Sequence, residues 1–300
     1  MDEWRVRFDF AIEFANGGGL QGQDFRLDID GDDIDDDALA DYIVRDLRLL
    51  MVERVTILDK VLIRERHKRG RVSALEAGTI AGRRIVDLSH AIEHGMVTYK
   101  GLPAPVICDF LSREQSRALY ADGTEFHIGR IDLVANTGTY IDSPFHRHAD
   151  GVDIAGLPLA RIADVPAVVV RVTGQAARAI DRHTFESFDV RGKAVLVHTG
   201  WDANWRTDAY FEGHPFLTAA AAGALRDAGV ALVGIDSYNI DDTGDNARPV
   251  HTILLGAGIP IVEHLCGLDQ VPIEGARFTA VPAPVRGLGT FPVRAFATLD

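Results

Sequence analysis

The stretch "NTGTYIDSPFH", Asn136–His146, packs a Gly-Thr turn, a tyrosine, an aspartate, a proline and a histidine into one short run. The residues leading into it, "RIDLVANTGTYID" (Arg130–Asp142), read as a strand that runs out on Asp142. Strand ends of an open α/β sheet face the crevice above the sheet, where ligands bind. Asp142 and His146 are both residue types that hold divalent metals. The two earlier positions that would best complete such a cluster, Asn136 and Tyr140, are not His.

Working outward, short apolar runs follow one another: "AVVVRV" (Ala167–Val172), "AVLVHTG" (Ala194–Gly200) and "VALVGID" (Val230–Asp236). "TAAAAGALRDAG" (Thr218–Gly229) carries helix chemistry, and "TILLGAGIPIVEHL" (Thr252–Leu265) reads as a helix or loop followed by a strand. Continuous apolar strands alternating with helices predict an α/β core whose sheet is covered on both faces. Several runs end on polar residues: His198, Asp236 and Glu263, with His251 just before the last segment.

The first 70 residues have a different texture and are expected to form a small α+β unit. "WRVRFDFAIEF" (Trp4–Phe14) and "DFRLDID" (Asp24–Asp30) alternate like half-buried strands about a Gly-rich turn, which predicts a hairpin. A helix should follow the Asp-rich segment, with Leu39, Ile43, Leu47 and Leu50 on one face. "RVTILDKVLI" (Arg54–Ile63) is a third strand candidate, and residues 71–83 read as a linker to the 84–300 unit. Asp28, Asp30, Asp32 and Asp33 suggest a calcium loop, but Asp33 stands where that loop needs Gly and the closing Glu is absent. Helix-capping chemistry is the expectation there.

A net charge of −13, from 31 basic and 44 acidic residues, argues against nucleic-acid or anionic-membrane partners. No apolar run approaches the ~20 residues a bilayer span needs, and "MDEWRVRFDF" is no signal peptide. Cys108 and Cys266 match no metal or redox motif, so two reduced thiols in a cytoplasmic protein are expected. Nucleotide-binding glycine loops and a GxSxG nucleophile elbow are both missing.

"NTGTYIDSPFH" resembles the HxGTHxDxPxH signature of the cyclase-like metal-dependent hydrolases, the superfamily of bacterial kynurenine formamidase and isatin hydrolase. "DLSHAIEHGMVTY", "VLVHTGW", "LVGIDSYNID" and "HTILLGAGIPIVEHL" resemble further segments of that family, in family order from about Arg84 onward. The resemblance implies a swivelling β/β/α cyclase-like domain preceded by the extra N-terminal unit. It also implies metal ligation by Asp142, His146, His251 and Glu263, with Gly138, Thr139 and Pro144 shaping the loop. The two early His ligands of the signature are replaced by Asn136 and Tyr140, so one metal position is kept and the other has lost its imidazoles.

Asp, two His and Glu suit Zn²⁺, then Mn²⁺ or Fe²⁺. The expectation is one such ion at most, with an empty site as the alternative. The first functional expectation is hydrolysis of an amide, lactam or lactone of a small carbonyl compound. Glu263 or His146 would handle protons, and Tyr140 or Asn136 would stabilise the oxyanion. The alternatives are a metal-poor lyase, dehydratase or cyclase using Tyr140 and His146 as acid and base, or a non-catalytic binding module. His198 and Trp201 are expected to line the pocket. Asp236 would either orient a ligand His or cap the following turn. His127 and His148 read as surface or packing residues rather than bases. A homodimer or homotetramer is expected, the family being commonly oligomeric.

Overall fold

A computed structural model describes residues 2–15, 19–29, 31–46, 52–66 and 83–299. The chain divides into two compact units, Met1–Glu76 and Ala77–Asp300. The linker expected at 71–83 lies, up to residue 82, outside the described residues.

The N-terminal unit is a three-stranded antiparallel sheet, with the Asp2–Phe14 strand between Gly19–Asp28 and Val52–Arg66. Alternation puts Val6, Phe8, Phe10 and Ile12 on one buried face, where they pack with Leu27, Ile29, Leu39 and Ile43. Phe8, Phe10 and Phe25 meet in tilted and edge-on contacts. Gly22 is required beside them, because a Cβ there would stand 2.3 Å from the Phe10 ring. The helix Asp36–Asp46 buries the predicted Leu39 and Ile43, whereas Leu47 and Leu50 lie outside the described residues. Its cap is Asp35, whose Oδ1 accepts the Ala38 N–H at 2.7 Å. Asp36 pairs with Lys60 at 2.5 Å. Asp30 and the side chain of Asp28 are outside the described residues, so the calcium-loop reading is not addressed there.

The second unit is built on a nine-stranded mixed sheet. From one edge to the other its strands are Thr290–Pro292, Tyr140–Asp142, Ile261–Glu263, Leu232–Ile235, Ala194–His198, Val165–Arg171, Ala276–Thr279, Phe296–Leu299 and Arg84–Asp87. The four from Ile261–Glu263 to Val165–Arg171 run parallel, and the flanking pairings are antiparallel. The continuous apolar runs are explained by burial on both faces. Val168 and Val170 join Val195, Val197, Val233 and Ile261 in one core layer, while Val169 joins Leu196, Leu232 and Val262 in the other. The predicted helix is Ala219–Ala228, capped by Thr218 accepting the Ala221 N–H and stopped at Gly229 in the left-handed conformation. The helix Pro249–Gly256 and strand Ile261–Glu263 resolve the ambiguous segment before Leu265.

A two-stranded ribbon, Val106–Leu111 with Ile128–Asp132, carries His127 and Cys108 on an exposed arm. His127 pairs there with Asp109. No helix among the described residues is long and apolar enough to cross a membrane.

Candidate active site

Sheet register assembles the site. Tyr140 stands opposite Glu263, and Asp142 opposite Thr290. Residues two apart on a strand share a face, so Tyr140, Asp142, Glu263 and Thr290 project together. Gly138 turns the chain into this strand at φ +68°, and a Cβ would meet Ile92 Cγ1 at 2.8 Å, so only glycine fits. After Asp142, the single helical turn Pro144–His146 folds His146 back over the strand end. Thr290 Oγ1 bonds both Asp142 Oδ1 and, at 2.9 Å, His146 Nδ1.

His251 comes from the first turn of Pro249–Gly256. Asp241 accepts the Val250 N–H at 2.8 Å, the His251 N–H at 3.0 Å and, at 2.6 Å, the ring Nδ1 of His251. One carboxylate thus caps the helix and fixes the ring. The free Nε2 points at Asp142 Oδ2, 3.6 Å away, and at Glu263 Oε1, 3.8 Å away.

Ligand atoms of Asp142, His146 and His251 all lie within 4.8 Å of one another. Asp142 is fully buried, yet its Oδ2 has no hydrogen-bond partner. An orphaned buried carboxylate oxygen facing an oriented imidazole is the arrangement a divalent cation satisfies. The electrostatics agree. Burial lowers the affinity of His251 for a proton, but the nearby Asp142 carboxylate, the bond to Asp241 and the charge of Glu263 outweigh it and lift the ring to about 10. Carboxylates that favour a positive charge on that ring also favour a metal ion in the proton's place. Burial likewise pushes the Asp142 carboxyl up, but His146, His251 and Thr290 together hold it below its usual range.

Glu263, predicted as a fourth ligand, falls outside this cluster. Tyr140 Oη donates to its Oε2 at 2.6 Å, and the Ile240 N–H donates to its Oε1 at 2.6 Å. Burial first, and the Asp142 charge, raise its carboxyl to about 7 against the pull of His251. Tyr140 is only 1% exposed, and burial beside Glu263 and Asp142 raises its phenol well above its ordinary value. Its proton is therefore held on oxygen, where it is donated to Glu263. Asn136 lies beside the same hydroxyl.

A pocket of about 320 Å³ opens over these groups, lined by Asn136, Tyr140, His146, His251 and Glu263, with Tyr99, Arg147 and Arg248 around them. His198 and Trp201 are not in its lining. His198 Nδ1 meets Arg171 at 2.9 Å, and Trp201 Nε1 donates to the Tyr210 carbonyl. Asp236 neither orients a ligand His nor caps the turn that follows it: it accepts from the Thr199 and Gly200 N–H groups and from Thr199 Oγ1, just past the end of the adjoining strand. His148 is tied to the Thr252 carbonyl at 3.2 Å. The residues that sequence reading missed are Asp241, Thr290 and His264. His264 is buried against Tyr140 and pressed by burial down to about 3.

Residues 86–242 match the family described as "Putative cyclase". The chain is 32% identical over 176 residues to a kynurenine formamidase of Geobacillus thermodenitrificans, covering 58% of this chain and 81% of that one. It is 27% identical over 212 residues to a Bacillus cereus kynurenine formamidase, covering 70% and 95%. A solved potential metal-dependent hydrolase with cyclase activity superposes with a TM-score of 0.60 at 26% identity, over 73% of this chain and 98% of the other. Isatin hydrolase A of Ralstonia solanacearum shares the fold at TM-score 0.62 and 22% identity, over 73% and 92%. Segment order, sheet and kinship agree: the chain belongs to the cyclase family and is an enzyme of hydrolase type.

Proposed function

We propose that this chain hydrolyses the C–N bond of a small amide or lactam, using one divalent cation held by Asp142, His146 and His251. Zn²⁺ suits these donors best, with Mn²⁺ next. The observation that carries the reading is the buried, partnerless Oδ2 of Asp142 facing the Asp241-oriented Nε2 of His251. The kynurenine formamidases among its relatives supply the reaction class.

When bound, such an ion supplies Lewis-acid polarisation of the carbonyl and acidifies nearby water. The chain's own groups divide the remaining work. Glu263, poised near neutrality, takes the proton that the attacking water loses as its oxygen joins the carbonyl carbon. It returns that proton to the nitrogen as the C–N bond breaks. The Asn136 amide, in the pocket lining, would donate to the oxygen that gains charge. Tyr140 and the Ile240 N–H keep the Glu263 carboxylate in one orientation.

Elemental analysis of protein purified without chelator, together with formanilide hydrolysis, tests this. The expected result is about one divalent ion per chain, lost along with activity in Asp142→Ala. Undiminished hydrolysis by Asp142→Ala after dialysis against chelator would overturn it.

A further inference from the structure

Two arginines line the pocket, although the protein is strongly acidic. Arg147 and Arg248 both line it, and neither has a carboxylate within ion-pair distance among the described residues. Of the acids just before Arg248, Asp242 offers it only a backbone carbonyl, at 2.7 Å, while its carboxylate faces Arg178, and Asp245 Oδ1 accepts the Ala247 N–H at 2.9 Å. The Nε of Arg147 donates to Thr252 Oγ1 at 3.1 Å, and that hydroxyl donates to the Arg248 carbonyl at 2.9 Å. One threonine therefore ties the two arginine segments together, leaving most of their N–H donors uncommitted.

The backbone of Arg248 adds an independent sign. It sits in the left-handed region at φ 47° and ψ 58°, directly before Pro249. Residues before proline favour extended backbone, and a branched or long side chain in the left-handed region is strained. Gly or Asn would occupy this position at lower cost. Strain held at a pocket wall by a charged side chain points to a task for that side chain.

We propose that Arg147 and Arg248 bind a carboxylate carried by the substrate at the end remote from the bond being cleaved. The substrate class is then an amide or lactam of an acid-bearing compound rather than a neutral amide. This rests on the hydrolytic reading above. Glu263 lines the pocket, and the buried carboxylates of Asp142 and Asp241 lie behind it against His251, so an anion finds no welcome there without the cation. The arginine wall supplies the opposite sign at the other end and fixes which way round the substrate lies. Charge-assisted, two-pronged contacts of guanidinium to carboxylate give that orientation its specificity.

The test compares formanilide with its ortho-, meta- and para-carboxylated counterparts on the metal-loaded, full-length enzyme. At least one carboxylated isomer should exceed formanilide in kcat/KM by about 10–100-fold. Arg248→Asn, which suits the left-handed backbone, and Arg147→Gln should each shrink that ratio about tenfold or more, with Arg248→Lys retaining part of it. Equal kcat/KM for neutral and carboxylated substrates, or a preference that survives the Arg147→Gln/Arg248→Asn double variant, would overturn the assignment. Calorimetric titration with benzoate separates this from the hydrolytic reading. If no amide is turned over, benzoate binding that weakens about tenfold in Arg248→Asn still supports the carboxylate site. Benzoate affinity that follows metal content and ignores both arginines would sink it.

Discussion

Asp241 and His251 are joined by two hydrogen bonds, one to the His251 backbone N–H and one, 2.6 Å long, to the ring Nδ1, while the Val250 N–H donates to the other carboxylate oxygen. The same carboxylate therefore starts the helix and aims Nε2 at Asp142. Asp241→Ala should weaken divalent-ion affinity about 10–100-fold, as loss of an outer-shell partner does. It should also cost roughly 0.5–2 kcal/mol through the lost cap. Chelator-competition titration and thermal denaturation read the two effects separately. Unchanged ion affinity in a folded variant would remove Asp241 from the site.

Tyr140→Phe deletes the hydroxyl that donates to Glu263 Oε2. That bond lowers the Glu263 carboxyl from where burial alone would put it. Without the donor, the carboxyl rises above about 7 and stays protonated to higher pH. Glu263 acts as base only when ionised, so the acid limb of kcat/KM should move to higher pH in the variant. Stability should fall by about 1–3 kcal/mol, because a buried acceptor loses its partner. A pH–rate profile superimposable on the parent's would show that Glu263 does not carry the proton.

Asn136 and Tyr140 stand where the family signature has imidazoles. Replacing both, Asn136→His with Tyr140→His, restores two nitrogen ligands beside Asp142. The metal content should rise from about one to about two ions per chain. Elemental analysis checks this directly. A content still near one would mean that the Tyr140 replacement was accompanied by changes elsewhere in the shell.

What could be read from the sequence follows what is local. The apolar runs, the Thr218 cap and the Gly229 stop are short-range signals, and the strands and helix stand where those signals put them. Asp142, His146 and His251 could be singled out because the family signature orders them, and the fold does bring them together. Asp236 was a natural candidate to orient a histidine, since it ends a strand. Asp241 does that instead, because the loop after the strand carries it to the helix start, and no periodicity encodes that path. Thr290 was invisible for a similar reason. Its link to Asp142 depends on an antiparallel pairing between residues 148 apart in the chain, which no neighbouring residue announces. Glu263 was read as a ligand, and its commitment to Tyr140 and Ile240 depends on register in the same way.

His90 lies face to face with Trp205, ring centroids 3.9 Å apart, and its buried Nε2 has no partner. Burial drives its folded-state pKa down to about 4, from the 6.5 of an open histidine. The unfolded chain therefore takes up the proton first as pH falls. The neutral ring's contribution is fully present above pH 6.5, declines below it, and is gone below about 4. At pH 5 this one residue should cost up to about 2 kcal/mol relative to pH 8. His90→Phe keeps a flat ring on Trp205 and forfeits no side-chain hydrogen bond. The variant should match the parent's melting temperature at pH 8 and exceed it by several degrees at pH 5. The acid decline should become shallower without vanishing, because His264, pressed down to about 3, titrates in the same sense. Melting curves that fall in parallel between pH 8 and pH 5 would show that His90 is not held neutral by its burial.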